Sequence, residues 1–386
     1  MKTRIRFVPL GGGQEIGASC YFLQINEENI LLDCGKTLKG GAPRYSCILQ
    51  APFLESLGQI NHIFISHSHY DHVGDLEYLA SVCTRAGIYA TPITKALIGY
   101  MLWDLGGASP SPLTDRQREH AEIRLDKAIR SIITEGYCRA LPLPGYTVTF
   151  YEAGHIPGAA MVHIQTPDRS ILYTGDFSCR PSALTAPYSV PEGVHFDTII
   201  ICGVHAKHPS HTAAGIHREL RSISKRVAAG YSLYLEAPHL TKAWEVLQII
   251  NEGMENKCLP LVPVYLDRPL QVLAERMERM NIRVLKPWNH ACTGHGQGPC
   301  LWIGRKAAGA WRGRKDTYRH SIDFSLHPTY EELKRFILTY NPKTVILVHT
   351  GYDATGAANC LEAELMASAA CRSQFIYAEN GEIYTL

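Results

Sequence analysis

No run of about 18 apolar residues occurs in this 386-residue chain, so no segment is expected to cross a bilayer as a helix. The opening stretch, MKTRIRFVPLGGG, carries basic residues but no apolar segment before its glycines, which argues against a secretory leader. C-x-x-C pairs are also missing. The twelve cysteines are scattered singly from Cys20 to Cys371 and are expected to be reduced, mostly core thiols. Net charge is only +2, so no global field gathers nucleic acid and any basic footprint must be local. Repeats and low-complexity tracts are absent. These absences point to a cytoplasmic soluble protein. The 46% hydrophobic and 19% charged content is that of a globular chain with a real core, and the length suits one large or two interlocked domains.

Short β-like runs open the chain: RIRFVPL, SCYFLQI and NILLDCG. Helical patterns follow in LEYLASVCTRAG and ITKALIGYMLWDL, and an amphipathic helix is expected to end near Ile133. Strands resume with YTVTFYEAG, AAMVHIQT, SILYTGD and DTIIICGV. From about Pro209 helices and strands alternate, which predicts a parallel α/β unit. Thr329 and Glu332 have the spacing of a helix capping box, TVILVHT reads as a buried strand, and Asn380-Gly381 suggests a closing hairpin.

The chemistry concentrates in ISHSHYDHVGD, Ile65 to Asp75. In extended backbone, side chains two apart point the same way, so His67 and His69 can converge on one ion. Asp71 and His72 follow where the chain turns and can face a second. Imidazole with carboxylate suits zinc, or less exclusively manganese or iron. His155, Asp176 and His349 each break an apolar run beside a glycine, at further strand ends, and complete the candidate set.

HSHYDH, GHIPGA, YTGDFS and the Asp33 of LLDCG resemble the successive motifs of the metallo-β-lactamase fold, an α/β protein built as an αββα sandwich. VPLGGGQEIGASCYFLQI, VPVYLDRPL, FSLHPTYEEL and VILVHTG resemble its β-CASP branch, nucleases that process RNA or DNA. The resemblance implies a sandwich formed by residues 1–205 and 319–386, with a β-CASP domain inserted at 206–318 and substrate bound between the two. It also implies two divalent ions, zinc foremost. His67, His69 and His155 would hold one, Asp71, His72 and His349 the other; Asp176 would bridge and Asp33 would order the ligand loop. The implied reaction is hydrolysis of single-stranded RNA by a hydroxide activated between the ions, with His327 contacting the scissile phosphate or protonating the leaving group. RNA is preferred to DNA because His349 fills the last motif, and a homodimer is plausible for the family.

The substrate side departs from that pattern. Cys202 stands where the branch usually carries an acid, and Lys242 stands near an expected arginine. GRKAAGAWRGRKDTYRH, Gly304 to His320, sets Arg305, Lys306, Arg312, Arg314, Lys315 and Arg319 around Trp311 and Tyr318, a composition suited to single strands or to a solvated loop. His205, His208 and His211 form a polar loop or a substitute acid, and Cys292, His295 and Cys300 lack an obvious fourth zinc ligand. The rival readings are a hydrolase of a small ester, thioester or cyclic phosphate, and a weakly active or inactive nucleic-acid-binding scaffold.

Overall fold

Alternation along Cys20–Ile25 (β2) builds the centre of the larger unit: Phe22 enters one core, while Tyr21, Leu23 and Ile25 enter another. The same period of two runs through Ile5–Gly11 (β1), Glu28–Leu32 (β3) and His62–Phe64 (β4). These strands read as near-continuous apolar runs because both of their faces are covered. The computed structural model describes residues 2–37, 54–105, 115–204, 214–291, 298–305, 317–322, 324–350, 360–367 and 371–386. It divides into two units, Met1–Pro181 with Thr185–Ser210 and Leu326–Leu386, and Ser182–Leu184 with His211–Ser325.

In the first unit, one sheet adds Gly87–Ala90 (β5) and Ile133–Thr134 (β6) to β1–β4, in the order β19-β1-β2-β3-β4-β5-β6, where β19 is Tyr384–Thr385. The second contains Ala140–Leu143 (β7), Tyr146–Glu152 (β8), Ala160–Gln165 (β9), Ser170–Tyr173 (β10), Thr198–Cys202 (β11), Thr344–Val348 (β17) and Gln374–Tyr377 (β18), in the order β18-β17-β11-β10-β9-β8-β7. Their facing sides share one core, in which Phe7, Tyr21 and Phe64 meet Phe150, Tyr173 and Ile346. Leu76, Leu79 and Ile98 pack helices on the outer face of the first sheet; Leu333, Phe336 and Leu361 do so on the second. The layers are therefore helices, sheet, sheet, helices: the αββα sandwich.

The second unit is a five-stranded sheet of Ser232–Ala237 (β12), Val264–Leu266 (β13), Asn289–Ala291 (β14), Leu301–Arg305 (β15) and Thr317–Ser321 (β16), ordered β14-β13-β15-β12-β16. Every pairing in it is parallel, as the alternating helix and strand pattern requires. Its helices are Ala214–Ala228, Leu240–Glu255 and Arg268–Arg279.

The amphipathic helix expected to end near Ile133 spans Asp115–Ser131, and Ile133 begins β6. One local expectation needs correction. The C-terminal segment is not a hairpin: β18 pairs in parallel with β17, whereas β19 pairs antiparallel with β1 in the other sheet. The turn at Asn380-Gly381 is real, with Gly381 at φ +86°, but it carries the chain between layers. Gly381 N–H donates to the Pro9 carbonyl, and Asn380 accepts from Gly13 N–H at 2.9 Å. Turn chemistry is local and therefore readable; the partner of each arm is set by which sheet edge is open. Among the described residues, no helix is long and apolar enough to cross a membrane.

Candidate metal centre

Strand ends supply the site. Asp33 follows β3, His67 to His72 follow β4, His155 follows β8, Asp176 follows β10, and His349 follows β17. Four of these turns use left-handed backbone, at Asp33 (φ +60°), Gly154 (φ +72°), Gly175 (φ +50°) and His349 (φ +57°). At Gly175 a Cβ would lie 2.6 Å from that of Ser66, so the turn that delivers Asp176 has room only for glycine. His349 is held by its own N–H, which donates to the Gly12 carbonyl at 2.5 Å.

The side chains form two neighbouring groups. In one, His67, His69, His155 and Asp176 each offer a ligand atom, all within 4.8 Å of one another. His69 Nδ1 lies 3.1 Å from His67 Nε2 and 3.3 Å from His155 Nε2. Asp176 Oδ2 lies 3.7 Å from His67 Nε2 and 3.8 Å from His155 Nε2. Asp71, His72 and His349 form the second group, with His349 Nε2 3.9 Å from Asp71 Oδ2. Asp176 faces this group as well, 3.5 Å from His72 Nε2.

Buried contacts decide which nitrogen each ring presents. Asp33, fully buried, accepts from His72 Nδ1 at 2.7 Å, which leaves Nε2 free to face Asp176. Ser66 Oγ lies 3.0 Å from His67 Nδ1, so that ring also turns Nε2 inward. Ser19 Oγ sits 2.9 Å from His349 Nδ1 and 3.3 Å from His72 Nε2.

The donor set suits a cation. Burial pushes His67 well below the ordinary imidazole range, helped by His72 and His69, and it pushes His155 down to about 3, helped by His327. Both rings are therefore neutral lone-pair donors at neutral pH. Burial opposes the charge of Asp176, yet His72, His327 and His349 hold its carboxyl well below the usual carboxylate range. His72 is likewise opposed by burial, but Asp176 and Asp33 raise it. The three imidazole nitrogens stand 3.1 and 3.3 Å apart. Tetrahedral ligands of a zinc-sized ion would stand roughly 3.3 Å apart. The residues fit such an ion.

His327 joins the same end of the sandwich. Its Nε2 lies 3.8 Å from Asp176 Oδ2, and its ring centroid 4.6 Å from that of His155. Its backbone carbonyl accepts from Arg180 at 3.3 Å, and Arg180 pairs with Glu332 at 3.1 Å. Cys202 Sγ lies 3.8 Å from His327 Nδ1. Lys242 belongs to the second unit, on the helix Leu240–Glu255, with Nζ 5.4 Å from the Phe324 ring. Arg312, Arg314 and Lys315 lie outside the described residues, as do Lys306, Trp311, His205, His208, His211, Cys292 and His295. Sequence reasoning missed Ser19, Ser66, Tyr173 and Arg180, which are single polar residues without a telling spacing.

Histidine and carboxylate groups gathered at the strand ends of an αββα sandwich define a metallo-hydrolase scaffold. Residues 13–227 match the family described as the metallo-beta-lactamase superfamily, and residues 315–366 match a Zn-dependent metallo-hydrolase RNA specificity domain. The chain belongs to the metallo-beta-lactamase superfamily. It is 30% identical over 264 residues to cleavage and polyadenylation specificity factor 73 of Drosophila melanogaster, covering 68% of this chain and 38% of that protein. Endoribonuclease YSH1 of Gibberella zeae is 30% identical over 257 residues, 64% of this chain and 30% of the relative. Transcription termination factor FttA of Methanosarcina mazei is 27% identical over 270 residues, 68% of this chain and 42% of the relative. These relatives agree with the β-CASP resemblance, although the chain spans well under half of their length. A crystal structure of a protein of unknown function from Enterococcus faecalis V583 shares the fold, with TM-score 0.66, 14% identity and full coverage of both chains.

Proposed function

We propose that the chain is a metal-dependent phosphodiester hydrolase of the β-CASP type that cleaves single-stranded RNA. The observation that carries this reading is the pair of ligand groups meeting at Asp176, with His327 beside it. His67, His69 and His155 would hold one divalent ion, Asp71, His72 and His349 the other, and Asp176 would lie between them; zinc is the favoured metal. Bound ions of this kind supply Lewis-acid activation of water and offset charge on a phosphoryl group.

The remaining work falls to the chain. Asp33 fixes the His72 tautomer. His327, partly exposed and 3.8 Å from Asp176, would contact the scissile phosphate or help to protonate the departing oxygen. Arg180 steadies the His327 backbone. Lys242, Arg312, Arg314 and Lys315 are assigned to the RNA backbone, an assignment that rests on sequence. Cys202 favours a slower enzyme than its acid-bearing relatives, because a neutral thiol orients His327 more weakly than a carboxylate. Self-association as a homodimer belongs to the same reading, and light scattering tests it.

The deciding experiment incubates zinc- or manganese-loaded protein with end-labelled single-stranded RNA beside an Asp71→Ala control. The expected result is cleavage lost in the control. Equal cleavage by both proteins would remove the nuclease reading, and tight binding without cleavage under either metal would favour a scaffold.

A further inference from the structure

Asp176 takes part in a third group. With Cys202 and His327 it brings a carboxylate oxygen, a thiol sulfur and an imidazole nitrogen within 4.8 Å of one another. Its Oδ2 is the oxygen turned toward His67, His72, His155 and His327. Its Oδ1 is buried and has no hydrogen-bond partner among the described residues, although the Cys202 thiol interacts with the carboxylate. The residue as a whole is 4% exposed, so that acceptor is cut off from bulk water.

Cys202 is placed differently from an ordinary core thiol. It ends β11, where Ile199 and Ile201 pack into the outer core and Ile200 into the inner one, yet it joins none of the three cores described above. Its strand partner on β17 is Val348, the residue before His349, while its Sγ faces a polar group, lying 3.8 Å from His327 Nδ1. A buried cysteine usually serves as a small hydrophobe. This one faces an imidazole and shares a group with an ionised carboxylate.

We propose that Cys202, His327 and Asp176 form a further cation position, selective for thiophilic divalent ions of the zinc class. It rests on the reading of the neighbouring groups as a metal centre. On binding, the Cys202 S–H bond breaks, a sulfur–metal bond forms and the proton leaves to solvent, so occupancy releases one proton per ion. Thiolate ligation favours zinc, cobalt and cadmium and discriminates against manganese and magnesium. An ion here also holds the imidazole that the proposed hydrolysis uses, so thiophilic ions in excess slow turnover.

Cobalt(II) titration of the metal-free full chain tests this without reference to activity. The expected spectrum combines visible ligand-field bands with a sulfur-to-cobalt charge-transfer band in the near ultraviolet. Cys202→Ser is expected to keep the visible bands and lose the ultraviolet one. Visible bands without a charge-transfer band in the wild-type chain would overturn the proposal while leaving the metal centre standing. No cobalt bands at all would overturn both. Persistence of the ultraviolet band in Cys202→Ser would assign it to another thiol and sink the proposal. If that variant folds poorly, X-ray absorption of the cobalt-loaded wild-type chain decides: a sulfur neighbour at about 2.3 Å is expected, and nitrogen and oxygen neighbours alone would refute it.

Discussion

The Asp33 carboxylate accepts from His72 Nδ1 at 2.7 Å while its own backbone sits at φ +60°. The same carboxylate takes the Ser66 N–H at 2.7 Å, the Ser66 hydroxyl at 2.6 Å and the Tyr173 hydroxyl at 2.6 Å. One buried acid therefore ties together β3, the ligand loop after β4, and β10. Asp33→Ala would leave these donors without an acceptor in a fully buried place. It is expected to cost about 3–5 kcal/mol in urea unfolding. Loss of the His72 anchor is expected to weaken zinc binding about 10- to 100-fold in a chelator competition. Wild-type zinc affinity in a folded Asp33→Ala chain would show that His72 needs no such anchor.

The loop that Asp33 organises was legible in the sequence because its information is local. H-x-H-x-D-H brings its side chains to one strand end whatever lies elsewhere, and the apolar runs before His155, Asp176 and His349 mark other strand ends. The convergence of those ends was implied by family resemblance, and no spacing could have shown it. Ser19 and Arg180 were invisible because a lone serine or arginine carries no period. The C-terminal turn was legible, and its pairing was not, since β18 joins β17 in one sheet while β19 pairs with β1, at the far end of the chain and in the other sheet.

Glycines near the site differ sharply in what a methyl group would meet. At Gly35 an added Cβ would lie 1.6 Å from the Asp71 carbonyl oxygen, a backbone atom that cannot step aside. At Gly145, also in the sandwich, φ is +81° but nothing lies within 4 Å. Gly35→Ala is expected to cost about 3 kcal/mol or more and to weaken metal binding through Asp71. Gly145→Ala carries only backbone strain of about 1–2 kcal/mol. Thermal melts with and without chelator separate the two, and equal losses would mean that the ligand loop relaxes freely around a new side chain.

His163 offers an acid-sensitivity test away from the ligand groups. It bridges Tyr151 O–H at 3.2 Å and Ser170 Oγ at 2.9 Å. Burial pushes it down to about 4. Because the folded value lies below the unfolded one, near 6.5, the unfolded chain binds the proton first. The stability it contributes is full above about pH 6.5 and is lost as pH falls toward 4, a gap worth about 3 kcal/mol. His163→Gln removes that titration. Urea midpoints at pH 7 and pH 4.5 are expected to fall less in the variant than in the wild type, and equal falls would assign the acid limb to other groups.

Glu332 joins a helix start to the proposed acid. Its Oε2 accepts the Thr329 N–H at 2.8 Å while Thr329 Oγ1 accepts the Glu332 N–H at 3.3 Å, the reciprocal capping box of the helix Tyr330–Tyr340. Its other oxygen, Oε1, pairs with Arg180, which in turn holds the His327 carbonyl. Thr329→Ala removes one capping bond and is expected to cost about 1 kcal/mol of stability. Arg180→Ala leaves the cap intact, so its stability cost is expected to stay near or below 1 kcal/mol, because the ion pair is only partly buried. It frees the His327 backbone, however, and a small displacement of a reacting group lowers kcat steeply, here by about tenfold to a hundredfold with little change in KM. Thr329→Ala is thus the stability variant and Arg180→Ala the turnover variant. Should Arg180→Ala turn over RNA at the wild-type rate, His327 keeps its place without that contact, and the route from Glu332 to the site has no functional meaning.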